Sequence, residues 1–401
     1  METTKKQKVK GKTLRINEIE DFLLGTNEIR INVITNTVEA RPKGRKEPFA
    51  PINQADLSYN IMKAGYTRFD SELKAILGSS IIPKYDPFKE YFESLSKWDN
   101  SQPDYIQQLS TFVKTDDQKW FEAMFKKMLV RVVAQALGSN QFNKHCFTFV
   151  GKQHDGKTSF FDFLVPDKLK PYYKKGYDFH GGRQSKFSLV QNFLINLDEL
   201  AQFDKKDLNN EFKSTLSESG VKYAPLFSGI EVLFPRRASF VASTNNSEFL
   251  TDETGSVRWI IFNVLNINHD NGGKDGYCQI DINNVWAQAY ALLKGGFKGE
   301  LSHDDINQTE LINRMFMRVT SEMNLITKHF KSAEKSDPKA NFYQCVDISE
   351  YFRNKGYGKV HEVQVGKALG SLKWKKEQKY LQQFGTQRKG YYLIEIENQL
   401  T

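Results

Sequence analysis

Gly151-Lys152-Gln153-His154-Asp155-Gly156-Lys157-Thr158 is the stretch on which the reading of this chain turns. It fits G-x-x-x-x-G-K-[ST], a loop built to hold phosphates. Cys146-Phe147-Thr148-Phe149-Val150 before it is a short apolar, β-prone run. Ser159-Phe160-Phe161-Asp162-Phe163-Leu164 after it can open a helix. Strand, glycine loop and helix, in that order, are what phosphate binding requires. Gly151 and Gly156 let the main chain turn inward without a Cβ in the way. Successive backbone N–H groups and the helix N-terminus then face the anion. In that frame Lys157 supplies a mobile cation for the β/γ-phosphates, and the Thr158 hydroxyl a ligand for Mg²⁺. Asp155 and Ser159 complete the expected nucleotide contacts. The competing reading, an ordinary Gly-Lys surface loop, leaves the flanking pattern unexplained.

The chain has 401 residues, room for two or three domains. Mean hydropathy is −0.57, and no stretch approaches the roughly 18 apolar residues of a membrane span. The first residues are basic but lack an apolar segment, so they are read as a frayed tail near nucleic acid rather than a secretory signal. Cys146, Cys278 and Cys345 are far apart and odd in number, which offers neither a disulfide framework nor zinc spacing and points to a reducing cytoplasm. A net charge of +9 favours a polyanionic partner wherever the positive charge clusters.

Residues 1–85 read as a small mixed region, with a strand over Ile29–Val33 and helices over Leu57–Ala64 and Asp70–Leu77. Residues 86–143 read as a helical lead-in. Asp86 caps a helix with Pro87 at its first position, and Phe88, Tyr91, Phe92 and Leu95 share one face, read as core. A second helix runs from Asp117 to Leu137 and stops at Gly138. Residues 144–331 hold further strand candidates at Phe193–Leu197, Phe240–Thr244 and Trp259–Phe262, with helices over Val285–Lys294 and Asn307–Lys328. Strands separated by helices predict an α/β sheet covered on its faces. Ser332–Ala340 is polar with a proline and reads as a linker to a separate domain over 341–396.

Asp198-Glu199 closes the second strand candidate. An Asp at such a strand end holds Mg²⁺, and a following Glu polarises the attacking water. Asn245, at the tip of the third strand, is the candidate to orient that water and sense the γ-phosphate; Asn245-Asn246 is also an ordinary turn signal. An arginine reaching a neighbour's γ-phosphate adds decades in rate, but charge alone does not choose among Arg236, Arg237 and Arg258.

The ordered set of Gly-x4-Gly-Lys-Thr, apolar-Asp-Glu, Pro-Arg-Arg-x-Ser-Phe-x-x-Ser-Thr-Asn and Phe-Leu-x-Asp-x-Thr-Gly-x-x-Arg-Trp resembles the virulence-associated E family, over residues 145–262. Those proteins look like superfamily-3 AAA+ helicases of phages and mobile elements. The resemblance implies Lys157 and Thr158 in the first motif, Asp198 and Glu199 in the second, and Asn245 as polar sensor. It implies Arg258 as an arginine finger supplied in trans. It sets Lys222–Phe234 where that superfamily carries a DNA-gripping hairpin, with Lys222 its cation. Arg236 and Arg237 match paired arginines at the nucleotide interface or on DNA. Related replication proteins carry an N-terminal primase; residues 1–85 are too short for one, so priming would fall to a separate protein.

In the C-terminal region, helices over Val346–Phe352 and Val363–Leu372 precede strands over Leu381–Gly385 and Gly390–Ile394. Helix, helix, hairpin is the winged-helix pattern. Lys367, Lys373, Lys375, Lys376, Lys379, Arg388 and Lys389 gather there as candidate phosphate contacts, although a winged helix can also serve protein contact.

The expectation is therefore an α/β chain: a P-loop AAA+ ATPase core with a helical N-terminal part and a C-terminal winged helix. It would use ATP and Mg²⁺ as a hexameric ring on single-stranded or forked DNA, with no membrane partner. Two other functions share the motifs: an ATP-switched DNA-binding protein, and a mobile-element defence ATPase.

Overall fold

The computed structural model describes residues 15–139, 142–198, 206–224, 230–250, 256–269 and 275–396. The chain divides into two compact units, one drawn from residues up to 247 and from 255–314, the other from 248–254 and 315–401. Both mix helices and strands. Among the described residues no helix is long and apolar enough to cross a membrane.

The first unit begins with helix α1 (15–26), then β1 (Asn27–Asn32), β2 (Thr37–Pro42), β3 (Ala50–Pro51), α2 (Gln54–Lys63), α3 (Asp70–Gly78) and β4 (Lys84–Tyr85). The strands form a sheet in the order β3-β2-β1-β4, closed by Leu57, Ile61, Leu73 and Ile76 from the helices. Asn32 donates within the layer to Glu39 Oε1 (2.7 Å) and ties it to the rest of the unit by donating to Tyr172 Oη (2.8 Å).

Next come α4 (Pro87–Glu93), α5 (Tyr105–Ser110), β5 (Val113–Thr115), α6 (Gln118–Ala136), β6 (Cys146–Val150), α7 (Lys157–Phe163), β7 (Tyr173–Lys175), α8 (Gly182–Gln191), β8 (Leu194–Asp198), α9 (Lys206–Ser217), β9 (Gly220–Tyr223), β10 (Val232–Pro235), β11 (Ser239–Thr244), β12 (Trp259–Ile267), α10 (Ile282–Lys294) and α11 (His303–Arg314). The main sheet runs β5-β12-β6-β11-β8-β7. Its neighbours pair in parallel except β5, which is antiparallel to β12. Parallel strands buried on both faces read as continuous apolar runs, and all five residues of β6 are buried. Phe121 and Phe125 of α6 pack on Phe147 of β6 with ring centroids about 6 Å apart. Asp86 caps α4 as expected, accepting from the Phe88 and Lys89 N–H groups, and Phe88, Tyr91 and Phe92 are core.

The second unit holds α12 (Ser321–His329), β13 (Phe330–Ser332), β14 (Asn341–Tyr343), α13 (Cys345–Asn354), α14 (Glu362–Ser371), β15 (Lys376–Leu381) and β16 (Thr386–Glu395). Three sequence expectations change here. The single helix read over Asn307–Lys328 is two helices. The chain leaves helix after Arg314, Met317 bridges Leu250, and Thr320 caps α12 by accepting from the Met323 N–H at 3.2 Å. Ser332–Ala340 connects two strands of one sheet and is no interdomain linker, because Ile326 of α12 and Phe330 of β13 already lie in the core of this unit with Ile348, Phe352 and Leu369. The hairpin turn also moves: Thr386–Lys389, read as the turn, is strand, and the chain reverses at Gln382–Gly385, where Gly385 takes φ +58°. Both faces of that segment are exposed, so no apolar alternation marked it as strand.

Candidate functional site

The loop after β6 curls through two left-handed residues, His154 (φ +68°) and Gly156 (φ +77°), before α7 begins at Lys157. Gly156 takes this conformation without a Cβ penalty. Gly151 is needed for a different reason. A Cβ there would lie 2.7 Å from the Val264 carbonyl oxygen, so the loop could not lie so close to β12. Its N–H bonds the Thr244 carbonyl at 3.2 Å, fastening the loop to the end of β11.

Strand order then assembles the site. β11 lies between β6 and β8, so its C-terminal end sits between the glycine loop and Asp198. Thr158 Oγ1 donates to Asp198 Oδ1 at 3.0 Å, Ser243 Oγ donates to the same oxygen at 2.8 Å, and the two hydroxyls are 3.3 Å apart. Lys157 Nζ donates to the Gly151 carbonyl at 3.0 Å and to the Lys152 carbonyl. Burial pushes the Lys157 ammonium pKa down, and the charges of Asp155 and Asp198 pull it back up. Asp155 Oδ2 is buried and makes no hydrogen bond among the described residues. These groups border a cleft of about 360 Å³ that also takes in Gln153, His154, Ser159 and Asn245.

The structure thus brings Gly156, Asp155, Lys157, Thr158, Ser159, Asp198 and Asn245 to one cleft. Ser243 was not singled out in the sequence, where it reads as one more residue of a strand; its polarity at a strand end beside Asp198 is the signal. Glu199 lies outside the described residues. The donors present are hydroxyl and carboxylate oxygens, which suit a hard cation such as Mg²⁺.

A family model, the virulence-associated protein E-like domain, matches residues 92–318, more than half of the chain. The chain belongs to the virulence-associated protein E-like family. Among solved structures, the chain is similar to the A-form apo structure of the NrS-1 C-terminal region (residues 305–718). The TM-score is 0.52 at 11% identity, over 94% of this chain and 98% of that one. A further apo structure of that region gives 0.49 at 10% identity, over 93% and 97%. At such identity the likeness bears on the fold alone. No curated protein matches the chain.

Other expected contacts of the E-like chain lie elsewhere. Arg258 immediately precedes β12, whose Trp259 pairs with Cys146 at the start of β6. It therefore stands at the opposite end of the strands from the glycine loop, about 15 Å away at roughly 3.3 Å per residue. Its guanidinium donates to Ser217 Oγ at 3.4 Å, and its buried Nε makes no hydrogen bond among the described residues. Arg236 and Arg237 correct the expectation of interface or DNA contacts. Arg236 is fully buried, donating to the carbonyls of Ala238 (2.8 Å) and Leu216 (3.0 Å) between the rings of Phe142 and Phe240. Arg237 is largely buried, paired with Asp86 at 2.9 Å and donating to the Ala136 carbonyl. Both hold elements together, and neither presents its charge to solvent.

Lys222 is exposed on the antiparallel β9–β10 hairpin, paired with Leu233. In the second unit Lys376 lies on β15, Arg388 and Lys389 lie on β16, and Lys373 follows α14 at φ +53°. Lys375 is held by Glu377 (2.9 Å) and Glu334 (3.7 Å), and this pairing raises its pKa.

Proposed function

We propose that this chain is an ATP-driven motor on DNA serving replication of a phage or mobile element, its first unit a P-loop AAA+ core of superfamily-3 type and its second a winged helix. The observation that carries the reading is the cluster of Thr158, Asp198 and Ser243 oxygens beside Lys157, at the ends of three parallel strands. That cluster fits Mg²⁺, which when bound would neutralise phosphate charge.

The residues divide the work by position. The loop N–H groups from Gln153 to Thr158 cradle phosphate oxygens, and Lys157 exchanges its loop carbonyls for them. Thr158 and Asp198 would hold the cation, with Ser243 fixing the Asp198 carboxylate. Glu199, one residue beyond Asp198, takes the proton of the attacking water. Asn245, at the cleft edge, orients that water.

Arg258 stands too far from its own glycine loop to serve it. This supports a ring, hexameric by the family pattern, in which Arg258 reaches the site of an adjacent copy and stabilises charge developing on the γ-phosphate. Lys222 and the basic hairpin of the second unit provide the contacts to single-stranded or forked DNA.

Strand displacement tests the reading. The full chain with ATP and Mg²⁺ is expected to release the labelled strand of a forked duplex, and Lys157→Ala to release none. ATP-dependent DNA binding without displacement would favour a nucleotide-switched binding protein instead.

A further inference from the structure

The second unit carries a feature that its fold does not require. β16 is ten residues long, and β14 pairs only with its C-terminal part, Tyr343 facing Tyr391 and Asn341 facing Leu393. β13 covers the same part, from Leu393 to Glu395. Between Tyr391 and the turn, β16 pairs among the described residues with β15 alone, in register from Lys376–Tyr391 to Leu381–Thr386. The β15–β16 segment is therefore a two-stranded ribbon projecting from the sheet. Its root is fixed at Gly390, where a Cβ would lie 2.6 Å from the Phe342 ring. An isolated two-stranded ribbon is marginally stable in water, and most of this one's side chains are exposed on both faces.

Its composition runs against stability. Lys379 faces Arg388 directly across the ribbon, and like charges in that relation are destabilising. Lys376 and Lys389 add two more cations; the ribbon's single carboxylate, Glu377, is taken by Lys375. Near the turn, Tyr380 and Phe384 are 59% and 52% exposed, and the Arg388 guanidinium lies 5.3 Å from the Phe384 ring centre. Facing cations call for an anion between or beside them. A solvent-facing Phe384 ring backed by an arginine offers a stacking surface for unpaired bases, which every base can use. By contrast α14 exposes Val363 and carries one cation, Lys367, against Glu362.

We infer that the β15–β16 ribbon binds DNA at a junction between duplex and single strand. Phe384, beside Arg388, stacks on the first exposed base, and Lys379 and Arg388, which share one face of the ribbon, hold the flanking phosphates. This deepens the DNA-binding part of the proposed function, and requires no ATP hydrolysis.

The test uses the full chain without nucleotide, with a fork, a blunt duplex of equal length, and 2-aminopurine at the first base of the junction. The expected result is tighter binding of the fork and a change in 2-aminopurine fluorescence. Phe384→Ala should abolish that change and weaken fork binding roughly tenfold, leaving the blunt duplex unaffected. Lys379→Glu relieves the facing charges, so it should raise the melting temperature slightly while weakening DNA binding. Tyr380→Ala, on the opposite face of the ribbon, should leave the 2-aminopurine signal intact, with melting curves establishing that each variant is folded. Equal affinity for fork and duplex with Phe384→Ala inert, an unchanged 2-aminopurine signal, or no DNA binding would each overturn the inference. Lys157→Ala should retain the full junction signal, so loss of the motor and loss of junction binding are read separately.

Discussion

Thr158 Oγ1 lies 3.0 Å from Asp198 Oδ1, a hydrogen bond that joins the first turn of α7 to the end of β8 across the intervening β11. Two residues 40 positions apart are thereby fixed at the separation that sharing one cation requires. Replacing either one would remove a proposed Mg²⁺ ligand without emptying the core, since both line the cleft. Thr158→Ala and Asp198→Asn are each expected to lower Mg²⁺-dependent ATP hydrolysis by at least about 100-fold, the scale of loss for a misplaced reacting group. Melting temperatures measured on the same samples should stay close to wild type. Ser243→Ala should cost less than either, because it acts by orienting Asp198.

Arg258 gives a prediction about assembly. It stands at the opposite strand ends from its own glycine loop, and the proposed function has it act in trans. Arg258→Ala alone should lose roughly 1,000-fold or more in hydrolysis. Mixing inactive Arg258→Ala with inactive Lys157→Ala should restore part of the activity, since some interfaces then pair an intact arginine with an intact loop. Hydrolysis assays across mixing ratios check this, and a flat line at zero speaks against a shared site.

Arg236 should behave as a structural residue. Removing a buried guanidinium leaves the carbonyls of Ala238 and Leu216 without their donor and opens a void between two rings. Arg236→Ala is expected to cost about 3 kcal/mol of stability, read as a lower denaturant midpoint. DNA affinity of the fraction that remains folded should be unchanged.

His145, just before β6, carries a pH signature. Burial, with help from Arg131, Arg258 and Lys144, pushes its pKa down to about 3. The unfolded chain takes up this proton near pH 6.5 and the folded chain does not until near pH 3. Stability from this group is thus complete above about pH 6.5 and is lost as pH falls below it. At pH 5 the loss is about 2 kcal/mol. Melting curves between pH 7 and 5 should show a steeper fall for wild type than for His145→Asn.

What the sequence made legible followed local rules. The glycine loop, the Asp86-Pro87 cap and the apolar strand runs carry their own signals within a few residues, and each appears close to where it was read. What escaped depended on pairing at long range. Ser243 meets Asp198 only because β11 inserts between β6 and β8, an order no local pattern encodes. Arg236 and Arg237 read as free cations because their partners, Phe142 and Leu216 for one and Asp86 and Ala136 for the other, are brought to them by the fold. The three-residue strands β5 and β7 are too short for any periodicity to appear. The hairpin was legible but its first strand and turn were misplaced: with both faces in water, Lys376–Leu381 and Thr386–Lys389 carry no apolar alternation.

The central claim is that the cleft at Lys157 hydrolyses ATP in the service of DNA. The most direct measurement is phosphate release by the full chain with Mg²⁺ and ATP, with and without single-stranded DNA, beside Lys157→Ala. Turnover should rise when DNA is added and disappear in the variant. Turnover that is absent, or that persists in Lys157→Ala, would contradict it.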